Sequence, residues 1–157
     1  MIPRPAGGTV AVSNRQRRLK INTKLLAQIT QQVRKLVGHT DGDLSIVLVD
    51  DPMIARLNAQ YHATPGPTDI LSFDYGEGQG ELIISVEHAV AQARRFRTTP
   101  ARELVLYVVH GILHLHGFDD RTPQQCRRMR VAEQRLLVSL RKGAYFNDQI
   151  AKRIMKP

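Results

Sequence analysis

His110 and His114 stand four residues apart in an apolar run, Leu104 to Leu115, whose length argues for a helix. On a helix that spacing puts both imidazoles on one face, one turn apart. Gly117 follows, and glycine most easily takes the left-handed conformation that ends a helix. The chain can fold back there and offer a third ligand, and Asp119 and Asp120 lie where one is needed. Two imidazoles and a carboxylate make a hydrolytic metal site, able to acidify a bound water and to stabilise charge on a carbonyl or phosphoryl oxygen. Residues 104–109 are apolar all round, so the helix is expected to be buried and its histidines to need partners at both ring nitrogens. A metal supplies one and an acceptor behind the ring the other. His116, two residues past His114, points to a different face and reads as rim.

The elements that must position this helix follow from caps and periodicity. Thr9 to Val12 suggests a first strand, and from Asn22, a capping residue, Leu25, Leu26, Ile29, Val33, Leu36 and Val37 recur at helical spacing up to Gly38. Leu44 to Val49 is nearly continuously apolar and branched, as in a central strand. An Asp cap followed by Pro then starts a short helix, Pro52 to Tyr61. Pro and Gly bracket two short strands, Ile70 to Phe73 and Glu81 to Ile84, which can form a hairpin or an edge pair. Ser85 caps a helix with Val86, Ala89, Val90 and Ala93 inward and Arg94, Arg95 and Arg97 outward. Thr99 and Pro100 start the histidine helix. Thr122, Pro123 and Gln125 read as cap, first residue and capping-box partner of a last helix. Its apolar stripe is Cys126, Met129, Leu136, Leu137 and Leu140. Glu133 falls within that stripe and is expected to bond a buried donor near the site.

The expected architecture is α/β (α+β): a single domain over 1–157, with a small mixed sheet of about four strands packed by helices. Residues 1–8 read as a loose lead-in and 143–157 as a basic tail. The single cysteine, Cys126, cannot form an internal disulfide, and no stretch resembles a signal peptide or a membrane span, so a cytoplasmic protein is expected. Lys and Arg number 23 against 14 acidic residues, a formal charge of +9, which favours nucleic acid as partner. With no Trp and four each of Tyr and Phe, a base-stacking platform is not evident, and backbone contact is expected to matter more.

HGILHLHGFDD, His110 to Asp120, resembles the HGxLHLxGxDH signature of the YbeY family of metal-dependent endoribonucleases. Leu57, Asn58 and Tyr61, Pro67 to Phe73 (PTDILSF), Gly80 to Ser85 (GELIIS), and Met129 with Glu133 agree in order, so the resemblance covers about Leu44 to Leu140. It implies an α/β fold, one zinc, cleavage of single-stranded RNA, and a role in maturing ribosomal RNA of the small ribosomal subunit. Register against the signature makes His110, His114 and Asp120 the metal ligands, with Asp120 in place of the family's third histidine. Two histidines and a carboxylate suit other divalent metals as well. His62 stands where the family's N-x-x-Y-R pattern has arginine, and is the expected catalytic contact to the scissile phosphate, giving activity that falls as pH rises through its titration.

Two other functions compete. Metalloproteases with the same ligand spacing carry a general-base glutamate directly after the first histidine, where this chain has Gly111. A non-catalytic RNA-binding assembly factor would use its metal only to hold the fold, and metal removal would then unfold it.

Overall fold

The computed structural model describes residues 7–38, 40–62, 68–142 and 150–153. In chain order the elements are β1 (Val10–Asn14), β2 (Leu19–Ile21), α1 (Thr23–Val37), β3 (Leu44–Val49), α2 (Asp51–His62), β4 (Ile70–Gly76), β5 (Gln79–Ser85), α3 (Val86–Phe96), α4 (Pro100–Leu115), α5 (Pro123–Lys142) and β6 (Ala151–Arg153). A four-stranded sheet has the order β1-β3-β5-β4, parallel across β1, β3 and β5 and antiparallel between β5 and β4. The α/β class, the mixed sheet and the hairpin therefore stand as expected.

Period-two alternation divides the strands between two cores. Leu44, Ile46 and Leu48 of β3 and Leu82 and Ile84 of β5 join the main core with α1, α3, α4 and α5, whereas Val49, Leu71 and Ile83 turn to the opposite face under Ile54 of α2. Leu26, Ile29 and Val33 seat α1 on the main core without exposed surface. Each such side chain is worth about 1.5–3 kcal/mol of burial.

Local chemistry sets the helix boundaries. Asn22 accepts the Leu25 N–H and Gly38 closes α1 at φ 86, Ser85 accepts the His88 N–H, and Thr99 accepts the Arg102 N–H ahead of Pro100. The cap of α2 is Asp50, whose Oδ1 accepts the Met53 N–H at 2.9 Å. Asp51, directly before the proline, lies inside the helix and accepts the Ser85 hydroxyl at 2.6 Å. The first strand runs on to Asn14 because its parallel pairing with β3 continues to Leu48.

A second, two-stranded sheet departs from the expected tail. Ala151–Arg153 pairs antiparallel with Leu19–Ile21, Ile150 is fully buried in the main core, and its carbonyl accepts the Asn22 N–H at 2.7 Å. The stretch read as a tail thus contributes a strand. Residues 1–6, 143–149 and 154–157, also part of the expected lead-in and tail, lie outside the described residues.

Candidate metal centre

Helix α4 is buried along most of its length, and the sheet approaches it closely at Gly111. A Cβ there would meet Ile70 Cδ1 and Leu82 Cδ2 at 2.7 Å each. That contact explains the glycine and leaves no room for a general-base side chain after the first histidine, so the peptidase mechanism lacks its proton acceptor at that position. One residue earlier and three later, His110 and His114 emerge on the same face with rings 4.6 Å apart.

The end of α4 returns the chain toward them. Phe118 N–H bonds the Leu113 carbonyl and Gly117 N–H the His114 carbonyl, with Gly117 at φ 97, the paired bonds of a Schellman turn. The loop beyond is pinned by Gln125, whose Oε1 accepts the Arg121 and Thr122 N–H groups, and by the Cys126 thiol, which donates to the Asp120 carbonyl. Asp120 Oδ2 comes to 3.5 Å from both His110 Nε2 and His114 Nε2, and the two Nε2 atoms are 3.0 Å apart. The neighbouring Asp119 is engaged elsewhere: its Oδ1 accepts the Asp120 N–H and its Oδ2 faces Arg121 Nε at 3.4 Å.

Behind the site, His110 Nδ1 donates to Glu133 Oε1 at 2.6 Å, the buried partner expected of that carboxylate. This bond keeps the proton on Nδ1 and leaves the Nε2 lone pair facing His114 and Asp120. Burial acts to lower the pKa of His110, but the hydrogen bond and charge of Glu133, with the charges of Asp69 and Asp120, outweigh it and hold the imidazole above its ordinary value. The surroundings therefore favour positive charge at this point.

Donors at 2.0–2.1 Å around a tetrahedral ion lie about 3.3 Å from one another. The separations of 3.0, 3.5 and 3.5 Å fit that figure, so the residues present fit a divalent metal. The cleft in front is lined on one side by Asn58, Asp69, Ser72 and Asp74 and on the other by His110, His114, Asp119, Asp120 and Arg121. His116 is exposed and does not line this cleft. His62 closes α2, and its side chain lies outside the described residues.

Two features escaped the sequence reading. Asp69, within the PTDILSF stretch, lines the cleft and acts on His110. Tyr61, Phe73 and Tyr75 also form a contiguous aromatic series, with Tyr61 and Phe73 edge-to-face at 5.5 Å and Phe73 and Tyr75 parallel at 6.4 Å. The spacing of residues 73 and 75 along a strand, which puts both on one face, was the available signal.

The profile of the endoribonuclease YbeY family matches residues 11–141. An endoribonuclease YbeY from Pelotomaculum thermopropionicum is 35% identical over 143 residues, covering 82% of this chain and 94% of the relative. One from Carboxydothermus hydrogenoformans is 35% identical over 136 residues, covering 82% and 95%. The solution structure of a Thermotoga maritima protein shares the fold, with a TM-score of 0.58 at 24% identity over 88% of this chain and 95% of that one. With the match spanning every element from β1 nearly to the end of α5, the chain belongs to the endoribonuclease YbeY family.

Proposed function

We propose that this protein is a metal-dependent endoribonuclease that cuts single-stranded RNA in the cytoplasm during maturation of small-subunit ribosomal RNA. The observation that carries the reading is the convergence of two Nε2 atoms and one carboxylate oxygen at metal-ligand separations, in a chain of this family. Family membership supports the RNA substrate and the ribosomal role. Among the described residues no helix is long and apolar enough to cross a membrane.

His110, His114 and Asp120 are the proposed ligands, and zinc, which favours four-coordinate sites of nitrogen and oxygen donors, is the proposed ion. Bound there, the metal would supply a Lewis acid for chemistry at a phosphoryl group. The protein's own groups do the rest. Glu133 fixes the tautomer and orientation of His110, and the turn at Gly117 sets Asp120 opposite the histidine pair. The open cleft admits a flexible strand, and the absence of a base at Gly111 suits a phosphodiester substrate no less than it disfavours a peptide. His62, directly after Tyr61 at the end of α2, is the proposed contact to the scissile phosphate.

The test is cleavage of a single-stranded RNA oligonucleotide by the purified protein, with chelator, with zinc restored, and beside a His114→Ala variant prepared identically. Cleavage should vanish with chelator and in the variant and return with zinc. Equal cutting by all three samples would identify a contaminant. RNA binding with no cutting in any sample would leave a non-catalytic assembly factor.

A further inference from the structure

We infer that the strand leaving the metal centre is held by the outer face of α5, in a groove that runs from the cleft past Phe118 to Arg127, Arg128 and Arg135. The inference rests on the endoribonuclease reading of the site and adds to it the path of the substrate.

Continuity is the first observation. The cleft shares Asp119 with a depression around the α4–α5 turn, and that depression shares Phe118 and Arg128 with a third on α5 bounded by Arg127, Val131 and Arg135. Periodicity is the second. Arg128, Val131, Arg135 and Val138 follow one another at spacings of three and four, forming one stripe opposite the face that carries Glu133 and the buried Met129, Leu137 and Leu140. Val131 and Val138 remain 51% and 48% exposed, so nothing among the described residues covers that stripe.

Charge is the third. Arg127, Arg128 and Arg135 are exposed, and among the described residues none of them forms an ion pair. The only acidic residue of α5, Glu133, faces inward to His110, and Asp119 at the head of the groove faces Arg121. The opposite wall of the cleft carries Asp69 and Asp74, which repel a phosphate chain. A polyanion anchored at the metal is thus repelled on one side and attracted on the other. Arginine is suited to phosphate by its forked donors, and its guanidinium plane, with apolar Val131 between, also accepts the unstacked bases of a single strand. An acidic protein would satisfy the charge as well, but it has no reason to continue into the cleft.

The experiment measures equilibrium binding of a labelled 2′-O-methyl RNA strand, verified by gel to remain uncut, to the zinc-loaded protein over a series of salt concentrations. It compares wild type with the triple variant Arg127→Gln, Arg128→Gln, Arg135→Gln and with a charge-matched control, Arg94→Gln, Arg95→Gln, Arg97→Gln, at the C-terminal end of α3. Each single-strand phosphate contact contributes about 0.7 to the slope of log K against log salt, so the α5 variant should flatten the slope by about 2 and the control by far less. The advantage of a long RNA over a trinucleotide in kcat/KM should shrink in the α5 variant. Thermal midpoints report folding for both variants.

An α5 slope equal to wild type, or equal loss in both variants, overturns the groove. So does an unmoved RNA slope accompanied by lost binding of polyglutamate, which would assign the face to an acidic protein. Because binding is read on a strand that stays intact, a flattened slope in a protein that cuts nothing would retain the groove and discard the endoribonuclease reading, whereas cutting with an unmoved slope would do the reverse.

Discussion

Residues 41–87 and helix α5 use charge in opposite ways. The first region, from the approach to β3 through the start of α3, holds nine acidic residues and one basic one, whereas α5 holds six basic residues and one acidic one. Most carboxylates of the first region work within the fold. Asp43 accepts the Thr9 amide and hydroxyl, Asp50 caps α2, Asp51 takes the Ser85 hydroxyl, Asp69 accepts the Ile70 N–H, Asp74 the Gly76 N–H, and Glu87 the Asp51 N–H. The arginines of α5's outer face have no such employment. An overall charge of +9 conceals this division, since most of these acids bond groups within the fold while Arg127, Arg128 and Arg135 are presented outward. Helix α4 is the seam between the two regions, and the candidate metal centre opens along it.

The comparison is sharpened most by separating chemistry from binding. His114→Ala should reduce RNA cleavage to background while leaving strand binding close to wild type at the same salt concentration. Binding lost along with cleavage would mean that the metal, not the basic helix, holds the strand. Next in size is Glu133→Gln, which keeps the shape of the side chain but weakens its hold on His110. Metal affinity, followed by competition with a chromogenic chelator, should fall about 10–100-fold. An unchanged affinity would reduce Glu133 to a packing residue of α5.

Gly111→Ala tests the seam itself. The added methyl meets Ile70 and Leu82, and urea unfolding should show a loss of about 1–3 kcal/mol. Full stability would mean that the close approach of helix and sheet is relaxed in solution. The smallest effect belongs to the acidic region. Asp50→Ala removes a helix cap and should cost about 1 kcal/mol, read by the same unfolding curve, with no change in the salt dependence of RNA binding. A tighter grip on RNA in that variant would show that the acids shape the strand's path as well as the fold.

Much of this arrangement was legible in the sequence because it is written in local rules. Asn22, Ser85, Thr99 and the Thr122–Gln125 pair mark helix starts by the backbone groups that they satisfy. Glu133 was conspicuous because a carboxylate in an apolar stripe requires a partner, and the partner is the ring nitrogen behind the proposed metal ligand. The shift of the α2 cap from Asp51 to Asp50 shows the limit: adjacent identical residues compete for one task, and the Ser85 hydroxyl on another element decides between them. Strand order and the meeting of Tyr61 with Phe73 depend on which elements become neighbours, which no local spacing encodes. The pairing of β2 with β6 was hidden for the same reason, and a three-residue segment such as Leu-Lys-Ile is too short to carry a period.

That small sheet has a kinetic side. Its two strands come from opposite ends of the described chain, so their ladder cannot begin to form until the intervening elements have condensed. Such a closure spans the longest sequence separation of any strand pairing among the described residues and rewards it with only a three-residue register. The ladder is therefore expected to be the last contact made in folding and the first released in local opening, with the amides of β2 exchanging with solvent well before those of β3. Since Ile150 enters the main core beside that ladder, each such opening would also loosen the packing of that core.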